Sequence, residues 1–374
     1  MLEDHKFIVF ALEHYNPLGM IRSFGCMGIH PIYISVKRRY EVATKSKYIS
    51  KLHKVDSIQE GYDLLMREYG HEKVKPYLVF SDDRTVGFFD ERYDEWKDKF
   101  ISYNAGEQGR INKFIDKFEI QQCAKRHGFN VLDSYIIHKK SDIPVDLWYP
   151  VITKDISPNV GNWKADVFVC QNKEELVGVM ERIASNEIMV QHYVDKQNEM
   201  ALEGYTINHG KEMQIVTQMT WKYLIPAYYS PYHDVCMFTD KEMERKLLSM
   251  FGEIGFEGVF EVEFLIDKDG TMYFMETNFR ASAWNSTGMF AGMPLDYLWC
   301  KGMEQGYIDP ADRKEFEPFT SMSEVIDYAK RVEGGMISEP EWWRDFREAK
   351  CTFIYNKDDI APFEEVYKNF EAFK

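Results

Sequence analysis

The 374-residue sequence predicts an α/β fold, with a parallel β-sheet domain first and a region of mixed strands and helices after it. Strand and helix patterns alternate through the first hundred residues, which is typical of a parallel sheet with helices on its faces. Residues 259–280 then form a β-hairpin pattern with apolar side chains on one face and acidic side chains on the other.

Local signals support the N-terminal alternation. Lys6–Leu12 is an apolar strand pattern, and Asn16-Pro17 predicts a helix start because Asn caps helices and Pro fits the first helical position. The first turn contains Gly19 alone rather than the Gly-x-Gly-x-x-Gly dinucleotide motif, so no nucleotide is assigned to it. The remaining N-terminal elements are predicted as a helix ending near residue 26, strands at 31–36 and 77–80, a helix at 58–69 and a helical stretch at 83–100.

The elements after residue 105 are mixed in type. They are predicted as a helix at 112–127, strands and turns at 131–170, a helix at 173–184, a strand at 188–193, a hairpin at 200–217, a helix at 241–251, the acid-lined hairpin, a helix at 294–304 and a strand at 351–355. The last 60 or so residues are otherwise polar and helix-rich.

Composition and charge exclude several classes of function and location. The formal net charge of −15 argues against non-specific nucleic-acid binding, which needs a basic surface. The apolar run at 7–12 is too short for a signal peptide or a membrane span. The six cysteines lie far apart without a Cys-x-x-Cys pair, so we expect reduced core residues in a cytoplasmic protein.

The turn of the hairpin determines which of its residues face each other. A two-residue turn at Asp269-Gly270 keeps the apolar face apolar on both strands, whereas a three-residue turn pairs Glu263 with Met275 and mixes the faces. We therefore prefer the two-residue turn. It predicts the pairs Glu263–Glu276, Glu261–Asn278, Phe264–Met275 and Ile266–Tyr273.

Two carboxylates that face each other on a sheet need a cation or a shared proton, because directly opposed side chains are only about 5 Å apart. Glu263, Glu276 and the amide oxygen of Asn278 are hard oxygen ligands of the kind that Mg²⁺ prefers. Arg280 shares their face and can fork onto a phosphate. A solvated hairpin with ordinary surface acids is the alternative for any one Glu-x-Glu strand, but the combined set favours a metal site.

The segment Gly258–Arg280 resembles the metal-binding hairpin of the ATP-grasp superfamily. The order of Asp116-Lys117, Tyr149–Lys154 and Ile188–Tyr193 before it is similar to that family as well, and the resemblance covers roughly residues 6–305. It implies a Rossmann-like N-terminal domain followed by a two-lobed ATP-grasp domain. The implied domains are 1–105, 106–310 with a small lobe at about 145–192, and a helical and strand extension at 311–374.

The resemblance also implies a nucleotide site. It assigns Lys117 and Lys154 to the phosphates, although a lone lysine such as Lys117 is more often a solvated helix charge. The loop 157–164 is similar to the family's phosphate-covering loop but has one glycine, Gly161, and Lys164 either reaches a phosphate or is solvated. The implied adenine and ribose contacts are Gln191, His192, Tyr193 and Glu199, with surface exposure the alternative for Glu199.

The segments Asn16–Gly25, Ser81–Asp83 and Ala291–Tyr297 resemble the D-aspartate ligase-like, carboxylate–amine ligase branch. This implies that a carboxylate attacks the γ-phosphate of ATP and that an amine then displaces phosphate from the acyl phosphate. The implied cofactors are ATP and two Mg²⁺ ions, which Mn²⁺ can replace. The implied roles are Mg²⁺ ligation by Glu263, Glu276 and Asn278, stabilisation of the transferring phosphoryl group by Arg280, and substrate contacts by Lys222 and Ser282.

The implied partners are small carboxylates and amines, namely amino acids or a peptide, and a homodimer is a family-level expectation. Two alternatives remain open: a bicarbonate-activating enzyme of the carboxylase or carbamoyl-phosphate type, and a non-catalytic nucleotide-binding module. The complete Glu263, Glu276, Asn278 and Arg280 set favours catalysis, because a nucleotide-binding module does not need a full metal site. The motifs identify neither the carboxylate nor the amine.

Overall fold

The computed structural model describes residues 2–138, 143–144, 146–154, 167–183, 185–225 and 230–368. The predicted phosphate-covering loop at 157–164, with Lys164, lies outside the described residues. Within them the predicted α/β class is confirmed: a parallel sheet comes first and two mostly antiparallel sheets follow.

The N-terminal sheet has five parallel strands in the order β3-β2-β1-β4-β5. β1 is buried almost throughout, as a central parallel strand covered on both faces must be. The strands are β1 Phe7–Leu12, β2 Ile32–Val36, β3 Lys51–Val55, β4 Tyr77–Val79 and β5 Ile101–Ser102.

The second sheet has four antiparallel strands in the order β6-β9-β7-β8. It has its own hydrophobic core, separate from that of the rest of the molecule, in which Val151, Leu176 and Val190 are buried. The strands are β6 Ser134–His138, β7 Val151–Lys154, β8 Val169–Cys170 and β9 Glu187–His192.

The third sheet has seven strands in the order β14-β13-β10-β11-β12-β15-β16, and the segment after residue 310 supplies the last two. All neighbours are antiparallel except β15 and β16. The strands are β10 Lys196–Ile207, β11 Glu212–Trp221, β12 Tyr232–Cys236, β13 Gly258–Asp267, β14 Met272–Asn278, β15 Phe319–Met322 and β16 Cys351–Thr352.

The described α-helices connect and cover these sheets. They are α1 Asn16–Gly25, α2 Ile58–Tyr69, α3 Asp83–Asp90, α4 Tyr93–Trp96, α5 Arg110–Ile115, α6 Lys117–Arg126, α7 Lys173–Arg182, α8 Lys241–Ile254, α9 Ser286–Phe290, α10 Leu295–Gln305, α11 Glu324–Tyr328, α12 Glu339–Glu348 and α13 Ala361–Lys368. In the described part of the chain, none of them combines the length and apolar character needed to cross a lipid bilayer.

Three predicted helix details are wrong. Asn16 is the first residue of α1 rather than its cap, which is Tyr15. The helix predicted at 83–100 divides into α3 and α4. The helix predicted at 112–127 divides at Asp116, whose extended backbone ends α5 and whose carboxylate accepts from the amides of Phe118 and Glu119, so that it caps α6.

The hairpin β13–β14 contains two registers. Glu263 faces Glu276 and Glu261 faces Asn278, as predicted, but Phe264 pairs with Phe274 and Ile266 with Met272. The predicted pairs Phe264–Met275 and Ile266–Tyr273 are therefore wrong. Met275 is an extra residue in a β-bulge, which bends a strand and resets its pairing.

The turn explains the second register. Asp267 and Thr271 close a three-residue turn in which the Asp267 carboxylate accepts from the amides of Asp269 and Thr271, at 2.9 and 2.8 Å. Gly270 has φ +80°, a value that glycine adopts without strain. The longer turn shifts the pairing by one residue, and the bulge at Met275 shifts it back before the acidic residues. The predicted pairs Glu263–Glu276 and Glu261–Asn278 are therefore correct although the predicted turn length is wrong.

Candidate functional site

Three adjacent strands place the acidic side chains in two rows. One row is Ala201 on β10, Glu263 on β13 and Glu276 on β14; the next is Glu203, Glu261 and Asn278. Side chains in such rows share one face of the sheet. Up to four carboxyl groups therefore converge on one surface.

Glu276 has a cationic partner from outside the sheet. Lys117, the first residue of α6, donates from Nζ to Glu276 Oε2 at 2.7 Å. The charge of Lys117 lowers the pKa of Glu276, although burial acts against it. Glu276 is thus an anion in the folded protein at neutral pH.

Arg280 links the acidic face to α3. Its guanidinium donates to both carboxylate oxygens of Asp83, from Nε at 3.0 Å and from Nη2 at 3.1 Å. Nη2 also donates to Asn278 Oδ1 at 3.0 Å, and Nη1 lies 3.8 Å from Glu261 Oε2. A bidentate pair of this kind fixes the plane of the guanidinium beside the acidic rows.

The other carboxyl groups of the face hold their protons more tightly than usual. Burial, and then the charges of Glu276 and Glu261, raise the pKa of Glu263 well above its ordinary value. Burial raises the pKa of Glu261 to about 7 despite Arg280. Burial and Glu261 raise the pKa of Glu203 well above its ordinary value. A divalent cation would relieve this crowding of negative charge.

The donor set fits Mg²⁺, which prefers oxygen ligands and keeps several waters. Glu263 and Glu276 face each other, and Asn278 is adjacent in the next row. The amide nitrogen of Asn278 donates to Glu261 Oε2 at 3.0 Å and to Glu263 Oε1 at 3.3 Å. Ligation by its oxygen therefore requires the amide to rotate and the Arg280 contact to be given up.

Lys154 approaches from the small sheet and is held by a relay of amides. Its Nζ donates to Gln191 Oε1 at 2.8 Å, Gln191 Nε2 donates to Gln121 Oε1 at 2.9 Å, and Gln121 Nε2 donates to the carbonyl oxygen of Met275 at 3.0 Å. The relay joins both antiparallel sheets to α6. It also anchors the bulge residue that sets the register of the acidic rows.

The pKa of the Lys154 amine is lower than that of an ordinary lysine. Burial, reinforced by the positive charge of Lys117, lowers its pKa to about 8, while Glu276 and Glu199 act in the opposite direction. Lys154 is therefore close enough to Lys117 and Glu276 to respond to their charges. A group of this kind gains most from an added anion, because an anion restores the stability of its charged form.

The predicted adenine residues lie at the end of β9, which pairs with the Lys154 strand, and the predicted ribose residue Glu199 lies on β10 of the seven-stranded sheet. The amides of His192 and Tyr193 donate to the carbonyl oxygens of Asp133 and Pro150, both at 2.9 Å, so these donors are engaged within the protein. The His192 ring stacks on Trp148 with 3.5 Å between centroids. Glu199 forms an ion pair with Lys196.

The two predicted substrate residues bond to carboxylates other than the predicted magnesium ligands. Ser282 is buried, donates to Glu203 Oε1 at 2.5 Å and accepts from the amide of Trp284 at 3.0 Å. It therefore holds the carboxyl group of Glu203 in the acidic face. Lys222 pairs with Asp234 at 2.9 Å beyond the end of β11.

Sequence reasoning missed three residues of the site. Asp83 belongs to the segment Ser81–Asp83 that carries the resemblance, but its pairing with Arg280, 197 positions away, was not predicted. Alternation along β10 places Glu203 on the face of Glu199, but only the pairing with β13 brings it to Glu261. Gln121 has no distinguishing sequence signal.

Comparisons with known proteins show what this chain is similar to. A family model, the RimK-like ATP-grasp domain, matches residues 115–218, from the residue before the α6 cap to Gln218 within β11. A curated relative, N5-carboxyaminoimidazole ribonucleotide synthase of Staphylococcus haemolyticus (strain JCSC1435), is 26% identical over 272 residues, which are 67% of this chain. The match spans 65% of that relative, just under two thirds of its length.

Two solved structures share the fold. The L-amino acid ligase from Bacillus licheniformis has a TM-score of 0.63 at 12% identity, over 84% of this chain and 79% of that one. The biotin carboxylase domain dimer of the 2-oxoglutarate carboxylase of Hydrogenobacter thermophilus, in complex with MgADP, ADP and bicarbonate, has a TM-score of 0.63 at 16% identity, over 84% and 73%. These likenesses establish the fold, and the second shows that a neighbour in this fold binds ADP with magnesium.

Proposed function

We propose that this chain, whose residues 115–218 match the RimK-like ATP-grasp domain, is an ATP-dependent ligase that joins a carboxylate to an amine. A carboxylate oxygen attacks the γ-phosphorus of ATP, ADP leaves, and an acyl phosphate forms. The amine nitrogen then attacks the acyl carbon, phosphate leaves, and the amine proton passes to solvent. The observation that carries the proposal is the convergence of Lys117, Lys154, Arg280 and the Glu263–Glu276 pair on one face.

The lysines and the arginine supply positive charge where the phosphates gain negative charge. Lys117 comes from α6, Lys154 from the small sheet and Arg280 from the end of the acidic hairpin. Phosphoryl transfer needs mainly positioning and charge neutralisation, which such an arrangement provides. Arg280 releases Asp83 or shares it when it turns toward the transferring group.

Magnesium would be held by Glu263, Glu276 and Asn278, and it would neutralise the β- and γ-phosphate oxygens when bound. The protein's contribution is to keep Glu276 ionised through Lys117 and to keep Glu263 opposite it. The adenine is assigned to the segment 191–193 and the ribose to Glu199.

The proposed substrates are small molecules, with amino acids or a peptide first because an L-amino acid ligase shares the fold. A homodimer is part of the proposal and is tested by light scattering.

A second candidate is a bicarbonate-activating enzyme, favoured by the neighbour that was solved with bicarbonate and MgADP. It uses the same phosphoryl transfer with bicarbonate as the acceptor. In this case ATP hydrolysis rises with bicarbonate alone in carbon dioxide-depleted buffer.

The test is ADP and phosphate release across a matrix of amino-acid carboxylates and amines, with bicarbonate as a separate arm. The proposal expects release only when a matching carboxylate and amine are both present. Release with bicarbonate alone supports the second candidate. Tight ATP binding without release in any arm contradicts both and identifies a nucleotide-binding module.

A further inference from the structure

A second group of side chains that can ligate a metal lies between α6 and α8. Lys117 and Gln121 share one face of this helix because they are four residues apart, and Cys123 and His127 share a different face for the same reason. The second face meets Glu253 of α8, whose Oε1 lies 3.7 Å from Cys123 Sγ and whose Oε2 lies 2.7 Å from His127 Nε2. The ligand atoms of these three residues all lie within 4.8 Å of one another.

We propose that Cys123, His127 and Glu253 form a binding site for one transition-metal ion, separate from the magnesium site. Thiolate, imidazole and carboxylate are the ligands that Zn²⁺ accepts, with three protein ligands and one water completing a tetrahedron. On binding, the thiol proton leaves to solvent and His127 binds as neutral imidazole. The two negative ligands then balance the charge of the ion.

The imidazole is already oriented for this role. Its Nδ1 lies 3.0 Å from the hydroxyl of Ser249, one turn before Glu253 on α8. Without a metal, Nε2–H donates to Glu253 Oε2; on metal binding the ring would carry its proton on Nδ1, donate it to Ser249 and leave the Nε2 lone pair for the ion. Metal-binding histidines are commonly fixed by such a contact on the other ring nitrogen.

The three ligands differ in exposure, which defines the direction of entry. Cys123 is fully buried, His127 is mostly buried and the Glu253 carboxylate is about one-third exposed. An ion therefore reaches the site from the Glu253 side, and the thiol forms its floor. The floor is rigid because Cys123 belongs to the main hydrophobic core.

One cation already competes for the site. Arg126 forms an ion pair with Glu253 through Oε1, the oxygen nearest the thiol. Its side chain is half exposed, so it can move away into solvent. Metal binding exchanges this pair for a coordination bond, and removal of Arg126 should therefore strengthen binding.

The test is a Co²⁺ titration of the full-length, reduced, metal-free protein with Mg²⁺ in excess to occupy the magnesium site. We expect one equivalent to bind with a thiolate-to-cobalt charge-transfer band and the intense visible bands of tetrahedral cobalt. Zn²⁺ should displace this colour and raise the melting temperature. No charge-transfer band in the wild-type protein would overturn the proposal.

Variants assign the ligands. Cys123→Ala should abolish the charge-transfer band, and His127→Gln should weaken Zn²⁺ binding at least about 10-fold. Arg126→Gln should tighten it, and Cys26→Ala, which removes an exposed thiol elsewhere, should change nothing. Persistence of the band in Cys123→Ala, or unchanged affinity in His127→Gln, would contradict the assignment. Because His127 lies near the surface, its variant decides the matter even if Cys123→Ala does not fold.

Discussion

Lys117 on α6 and Lys154 on β7 face the same acidic cluster, but their pKa values shift in opposite directions. Lys117 has a carboxylate partner in Glu276, and although burial acts against its charge, its pKa is raised. Among the residues that the structure describes, Lys154 donates to the neutral amide of Gln191 rather than to a carboxylate, and burial lowers its pKa to about 8. The charge of Lys117 is stabilised by a carboxylate of the protein, whereas the charge of Lys154 would be stabilised by an anionic ligand.

The largest expected effect comes from removing the partner of Lys117. Glu276→Gln should lower kcat at least about 100-fold, because it removes a proposed magnesium ligand and the anion that pairs with Lys117. The protein should stay folded by circular dichroism. The control is Asp269→Asn in the exposed turn of the same hairpin, which should keep its activity. Wild-type turnover in Glu276→Gln would remove this residue from the site.

The lysines should also differ in their effect on stability. Lys117→Met leaves Glu276 unpaired and should lower the free energy of unfolding by about 1–2 kcal/mol. Lys154→Met removes a poorly solvated charge and should change it by less than about 0.5 kcal/mol or raise it. Urea denaturation of both variants measures the difference. Equal destabilisation would mean that the surroundings of the two lysines are energetically alike.

The pH dependence of kcat/KM for ATP should follow the ionisation of Lys154. Its pKa in the free protein is about 8, so it loses its charge as the pH rises through that value, and kcat/KM for ATP should fall above it. Lys154→Arg keeps the charge throughout and should shift or remove this alkaline limb. A limb that is unchanged in the arginine variant belongs to another group.

The smallest effect is expected from the relay that positions Lys154. Gln191→Leu removes the hydrogen bond to Lys154 and should raise KM for ATP about 3- to 10-fold with a smaller change in kcat. Gln191→Glu supplies an anion at the same place and should raise the pKa of Lys154, which moves the alkaline limb to higher pH. A relay with only a structural role would not move that limb.

The sequence predicted the elements whose pattern is local. β1 and α2 follow from runs of apolar residues at strand and helix spacing. The prediction that Glu263 faces Glu276 is correct although the predicted turn is one residue too short, because the bulge at Met275 offsets the longer turn and keeps the apolar face buried. Asp116-Lys117 was recognised as a motif, and the structure adds the reason for its spacing: the aspartate caps the helix that begins with the lysine.

Features that depend on contacts between distant segments were missed. The bulge at Met275 has its carbonyl bonded by Gln121, and the amide of the preceding Phe274 donates to Asn130. Neither contact has a local sequence signal, so the turn end of the hairpin was assigned the wrong register. The pairing of Arg280 with Asp83 was missed for the same reason.

The most direct test of the proposed chemistry follows ¹⁸O from the carboxylate of the substrate. With the carboxylate–amine pair that supports ADP release, one labelled oxygen should appear in the inorganic phosphate, because the carboxylate oxygen that attacks the γ-phosphorus leaves with it. Phosphate that carries no oxygen from the carboxylate would contradict acyl phosphate formation.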